Sequence, residues 1–186
     1  MDITQLTRAA DELLEVTAKP RHRRILENYR RHALLEVSGN WPEIFAPDMT
    51  VNHPVYLIDA NDISVKLDGL EQVTGFYRTL TDAGSNVIVV QDEQLAVADW
   101  GLASEAIFNS YARGAVAPGG LDGHFYIVRQ RIAMHWPYDD QARLMGEHVY
   151  EHAAQREVVE IGEADFITPQ DAERLLTPLL RSLPQT

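Results

Sequence analysis

Tyr29 and His53 are the residues of this chain whose types and spacing most directly offer chemistry. A phenol titrates near ~10 and an imidazole near ~6.5, so together they supply a proton donor and a proton acceptor usable at neutral pH. His53 lies in Thr50-Val51-Asn52-His53-Pro54, which reads as part of a strand. Pro54 holds the residue before it in extended backbone. Alternation then groups Val51, His53 and Val55 against Asn52, Pro54 and Tyr56, so His53 is expected to face an apolar pocket between two valines. Tyr29 shares a helical face with Ile25 and Ala33. Packing that face on the strand face of Val51 and Val55 would bring both polar tips into one pocket. A buried tyrosine satisfied by a backbone partner is the competing structural reading.

A third candidate is His148. His148-Val149-Tyr150-Glu151-His152 matches the H-x-x-E-H zinc pattern, which works only on a helix. This segment follows a turn and carries β-favouring residues. On a strand the two imidazoles would stand ~13 Å apart at ~3.3 Å per residue, too far to share one zinc. Of its two alternating sets, Glu147, Val149 and Glu151 are expected inward. His148 reaches the pocket only if the register slips by one residue.

The elements that must position these groups are legible from periodicity. Apolar residues Leu6, Ala10, Leu13 and Leu14 predict a helix over 4–18, closed near Pro20. Ile25, Tyr29, Ala33 and Val37 predict a second over 21–38, ended by Gly39. A helical turn spans Trp41–Ala46, and Thr50–Ile58 reads as a strand. Asp68-Gly69-Leu70-Glu71 resembles a capping box opening a helix with Val73, Phe76, Tyr77 and Leu80 on one side. Strand-like runs follow at 87–91, 102–112, 124–138 and 143–152, with Asp92-Glu93 and Asp139-Asp140 as turn signals and 95–98 ambiguous. The last two runs are expected to form an antiparallel hairpin. Thr168-Pro169-Gln170-Asp171 opens a helix over 169–183 whose apolar stripe needs a partner. Helices followed by a meandering antiparallel sheet define an α+β chain.

Composition narrows the partners. The 186 residues suit one domain with a sizeable core. Sixteen basic against 28 acidic side chains give −12, which argues against nucleic acid and anionic membranes as partners. The basic run Arg21-His22-Arg23-Arg24 reads as a solvated helical turn. The absence of cysteine excludes disulfides and thiol nucleophiles and fits a cytoplasmic location. Neither a signal peptide nor a membrane span is expected. No phosphate loop, nucleophile elbow or nucleotide fingerprint occurs, so neither cofactor nor metal is expected.

Tyr29, Trp41-Pro42-Glu43-Ile44-Phe45, Ala46-Pro47-Asp48, Thr50 to Pro54, Gly69-Leu70-Glu71, Phe76-Tyr77 and Trp136-Pro137-Tyr138, taken in series, resemble the SnoaL-like branch of the nuclear transport factor 2-like superfamily. The resemblance covers about residues 20–152 of a single domain over 1–186, leaving 153–186 as a C-terminal extension with a helix. It implies a cone, in which a curved antiparallel sheet wraps N-terminal helices around a pocket. Trp41, Phe76, Tyr77, Met134, Trp136 and Tyr138 would line that pocket as substrate-binding residues. Within the superfamily, ketosteroid isomerase matches Tyr29 as helical tyrosine and places its general-base aspartate, which precedes a proline, at His53. Its second oxyanion donor falls on Met134, which cannot donate, so steroid isomerisation is disfavoured. The implied activity is that of a cofactor-independent lyase or isomerase of dehydratase or cyclase type, acting on a small, mostly apolar polyketide, terpenoid or steroid-like compound, in a homodimer. A non-catalytic binding module and an epoxide hydrolase are the alternatives.

Overall fold

The computed structural model describes residues 1–184. A 3-10 turn at Ile3–Gln5, capped by the Asp2 carboxylate, precedes helix α1, Arg8–Val16. Helix α2, Pro20–Val37, begins on a proline, whose missing N–H costs nothing at a helix start. It ends before Gly39, which takes a φ of 78°. A 3-10 turn follows at Trp41–Phe45. Helix α3, Leu70–Asp82, lacks the expected capping box. Gly69 occupies its N-cap at φ 93°, and Asp68 turns outward. The box is realised instead at helix α4, Pro169–Leu176, where Thr168 and Asp171 cap each other. The stripe predicted over 169–183 breaks into α4 and a 3-10 turn at Thr177–Leu179, which contains Pro178. Ala172 and Leu176 are fully buried against Ile3, Leu34 and Val37, so the helix is partnered by its own chain.

The strands are β1, Val55–Ala60; β2, Ile63–Asp68; β3, Ile88–Ala98; β4, Gly101–Arg113; β5, Phe125–Pro137; β6, His148–Glu151; and β7, Glu157–Ile161. They form one curved, open seven-stranded sheet in the order β2-β1-β6-β5-β4-β3, with β7 also on β5. Pairing is antiparallel except between β1 and β6, which run parallel through Leu57↔His148 to Asp59↔Tyr150. β5 organises the sheet. It pairs β4 along its whole length, β7 at Phe125–Arg129 and β6 at Ile132–His135. Its inward set, Tyr126, Val128, Ile132, Met134 and Trp136, is buried as alternation predicts. Among the described residues no helix is long and apolar enough to cross a membrane.

Three further expectations change. Thr50–Ile58 is not one strand: β1 starts at Val55, and the preceding residues are irregular apart from a bridge from Thr50 to Leu144. Asp92-Glu93 is not a turn between strands. It is a β-bulge inside β3, with Asp92 at φ 51°, and 95–98 belongs to the same strand. A bulge adds a residue to one strand, bends it and re-aims its side chains. Lastly, the acidic turn does not lead straight into the final strand. Asp139 accepts hydrogen bonds from the Gln141 and Arg143 amides and pairs with the Arg143 guanidinium, and β6 begins only at His148.

Candidate active site

Helix α2 carries Tyr29, His32, Ala33 and Glu36 at positions i, i+3, i+4 and i+7, which share one face. That face looks into the concave side of the sheet. A cavity of about 160 Å³ lies there, walled by apolar residues such as Ile58, Phe76, Ile132, Met134 and Val149, with Tyr29, Glu36, Tyr77, Trp136 and Glu147 forming a polar sector.

Glu147 comes from the approach to β6. Its backbone carbonyl accepts the Leu57 amide at 2.8 Å. Gly146, just before it, passes so close to β1 that a Cβ there would stand 1.8 Å from the Val55 carbonyl oxygen. Only glycine permits that approach, which sets Glu147 against the core. Its Oε1 accepts from the Tyr77 hydroxyl at 3.0 Å and lies 3.0 Å from His32 Nε2. The same nitrogen is 2.9 Å from the Tyr77 oxygen and 3.6 Å from Glu36 Oε2. Tyr56 closes the cluster, 3.5 Å from the Tyr77 hydroxyl.

His32 is fully buried, and burial opposes its protonation. The carboxylates of Glu147 and Glu36 outweigh that and lift the imidazole from 6.5 to about 9. It is therefore an imidazolium at neutral pH, flanked by two carboxyl groups that both reach the cavity wall. Burial raises the pKa of Glu36, a shift which its hydrogen bond to His32 opposes and the charge of Glu147 reinforces. Burial, and then the nearby carboxylates, carry the Tyr56 and Tyr77 phenols well above their ordinary value.

A second polar pair stands on the other side of Trp136. The Tyr29 hydroxyl donates to Glu93, the residue that the bulge turns inward. Burial pushes the Glu93 carboxyl from 4.5 to about 7, against the stabilising hydrogen bond from Tyr29. Burial and the Glu93 charge together raise the Tyr29 phenol well above 10. Glu93 also lines a cleft of about 400 Å³ between the N-terminal segment and β3. The Trp136 indole sits edge-on to both Tyr29, at 5.0 Å, and His32, at 4.9 Å between ring centres.

The predicted residues divide. Tyr29, Phe76, Tyr77, Met134 and Trp136 line the cavity. Trp41 lies behind it, stacked on Tyr77 at 5.9 Å, and Tyr138 is buried beyond the wall. His53 is not in the cavity. Its side chain is 71% exposed and pairs with Asp68 at 2.8 Å on the surface. Two things put it there: His53 lies in the irregular stretch before β1, and the set of β1 that turns inward is Tyr56, Ile58 and Ala60, not the one containing Val55. His148 likewise sits on the outer face, across from His135, because the register does not slip. Glu147 and Val149 are inward as expected, while Glu151 is held by Arg156. Among the described residues no group of three or more His, Cys, Asp or Glu side chains is arranged to hold a metal ion.

Sequence reading missed His32, Glu36 and Glu93. The first two carried a signal, their helical spacing from Tyr29 on the face already recognised as buried. Glu93 carried none, because its direction depends on the bulge.

No family model and no curated protein sequence matches the chain. Solved structures do. A provisionally assigned SnoaL-like polyketide cyclase from Jannaschia sp. CCS1 superposes over 74% of this chain and 92% of its own, with TM-score 0.55 and 13% identity. A nuclear transport factor 2-like protein from Anabaena variabilis ATCC 29413 covers 73% and 93%, with TM-score 0.55 and 10% identity. The CaMKII hub of S. rosetta covers 73% and 99%, with TM-score 0.50 and 15% identity. The chain therefore has the SnoaL-like, nuclear transport factor 2-like fold. That fold carries proteins named as a cyclase and as a hub, so function must be argued from the site.

Proposed function

We propose that this chain is a cofactor-independent lyase or isomerase that moves protons on a small, neutral, mostly apolar carbonyl compound. The observation that carries the reading is the pair Glu36 and Glu147, two carboxyl groups at the wall of an apolar cavity, on either side of one buried imidazolium. Paired carboxyl groups with different surroundings divide the roles of acid and base. In the proposed cycle Glu147 removes a proton next to the carbonyl. Glu36 passes the Nε2 proton of the His32 imidazolium either to the γ carbon, giving an isomer, or to a departing hydroxyl, giving an alkene and water. His32 then takes the proton left on Glu147, which restores the starting state without an outside acid. His32 is a positioning and relay group, since it lies behind the wall. Tyr77 orients Glu147.

The size of the cavity restricts the substrate. A dry apolar cavity of ~150 Å³ takes benzene. The space of about 160 Å³ here suits a single ring rather than a steroid. The test offers 3-cyclohexen-1-one and 3-hydroxycyclohexanone, which isomerisation and dehydration respectively convert to 2-cyclohexen-1-one, followed by its ultraviolet absorbance. Glu147→Gln should lower any rate by ~10²–10⁴-fold. Failure to convert either compound, with no exchange of their α protons into deuterated water, would sink the proposal.

The second reading is a pocket that binds its ligand unchanged. It is favoured by Glu147 Oε1 being already engaged by Tyr77 and His32. Saturable binding without turnover or exchange would establish it.

A further inference from the structure

Trp136 is 3% exposed, and its indole Nε1–H is buried with no protein partner. The residue forms part of the cavity wall. A buried donor left unpaired carries a free-energy cost, and native proteins seldom leave one so without a reason. The ring cannot easily turn to find another partner. Tyr29 and His32 hold it edge-on from two sides, at interplanar angles of 88° in both cases. The flanking aromatic rings are themselves fixed, Tyr29 by Glu93 and His32 by Glu147.

We infer that the Trp136 Nε1–H is the substrate hook of this cavity, donating to the carbonyl oxygen of a neutral, single-ring ligand. The inference rests on the cavity being the substrate site and adds what that site recognises. An indole N–H is a donor only, so its partner must be an acceptor. The acidic wall made by Glu36 and Glu147 repels carboxylates and phosphates, which leaves an uncharged oxygen as the fitting acceptor. The rest of the wall is mostly apolar and takes the hydrocarbon ring, with Asn61, Ser85, Ser110 and Gln130 as its other polar members. Trp136 acts on specificity and also on chemistry, since a donor to the carbonyl stabilises the oxyanion that forms when the neighbouring proton leaves.

The experiment needs no turnover, so it stands or falls separately from the proposed reaction. Cyclohexanone and methylenecyclohexane have the same shape, with oxygen exchanged for a methylene group. Their affinities for the full chain and for Trp136→Phe form a cycle in which solvation differences between the ligands cancel. The oxygen ligand should lose about tenfold relative to its hydrocarbon twin in the variant, the factor that ~1.4 kcal/mol represents. The parent protein gives an independent reading should the variant fold poorly. Of the three indole N–H resonances, from Trp41, Trp100 and Trp136, one should move downfield with cyclohexanone and stay with methylenecyclohexane. An unchanged ratio in the variant, no selective shift in the parent, or no binding of either ligand overturns the inference.

Discussion

The stability of this protein should fall as pH rises across the neutral range, in the direction opposite to ordinary acid denaturation. Two interior groups hold protons more tightly in the folded chain than in the unfolded one: Glu93, raised from 4.5 to about 7, and His32, raised from 6.5 to about 9. A raised pKa means that the folded state binds more protons between the two values. The associated stability is then complete below the unfolded value and lost as pH climbs through the folded one. Glu93 acts from 4.5 to about 7 and His32 from 6.5 to about 9, so the windows join. At ~1.36 kcal/mol per pKa unit the His32 difference corresponds to ~3 kcal/mol, and that of the less buried Glu93 to ~2 kcal/mol after allowing for solvent. The groups facing them do not reverse the sign. Glu36 is also raised, and the Tyr29 and Tyr77 phenols titrate well above 10. Glu151, lowered from 4.5 to about 2 by the Arg156 hydrogen bonds, contributes stability that is lost only as pH falls below its unfolded value. The assay is urea unfolding followed by tryptophan fluorescence at about pH 5, 7 and 9, comparing midpoints at constant slope. Glu93→Gln should flatten the lower half of the decline. Glu147→Gln should flatten the upper half, because burial then acts on His32 without its main counter-charge. A parent midpoint that is level or rises between about pH 7 and 9 refutes the reasoning.

Other substitutions separate site from scaffold. His53→Ala should change both activity and Tm little, since an exposed ion pair contributes ~0–1 kcal/mol; a large loss of activity would restore His53 to the mechanism. Leu176→Ala empties a fully buried position between α4 and the N-terminal segment and should cost ~2–5 kcal/mol by chemical unfolding, with no effect if α4 is only peripheral. Arg156→Ala removes the partner of Glu151, whose side chain is 2% exposed, and should cost ~3 kcal/mol near neutral pH, with a smaller loss in acid. Gly146→Ala forces β1 and the Glu147 segment apart, and should depress activity more steeply than Tm if Glu147 is the base.

Much of the fold could be read from the chain because the signals are local and repeat. The period of 3.6 in Ile25, Tyr29, Ala33 and Val37 marks α2, and the period of 2 from Tyr126 to Trp136 marks β5 and its inward face. The Thr168–Asp171 box marks the start of α4. Even Glu147 was placed inward by alternation counted from Trp136, since β5 and β6 pair in register through Met134↔Val149.

The site itself divides along the same physical line. Sequence alone determined that Tyr29 would be buried on a helix facing an aromatic-lined sheet, and it contained His32 and Glu36 on that face at helical spacing. Only the tertiary structure decided which other polar groups meet them. The inward set of β1 is Tyr56, Ile58 and Ala60 rather than the set that Val55 shares with Val51 and His53, and the extra residue at Asp92 turns Glu93 toward Tyr29. Bridge positions and bulges are set by the partner strand, not by the segment that contains them, so a single miscounted residue exchanges the inner and outer faces of everything beyond it.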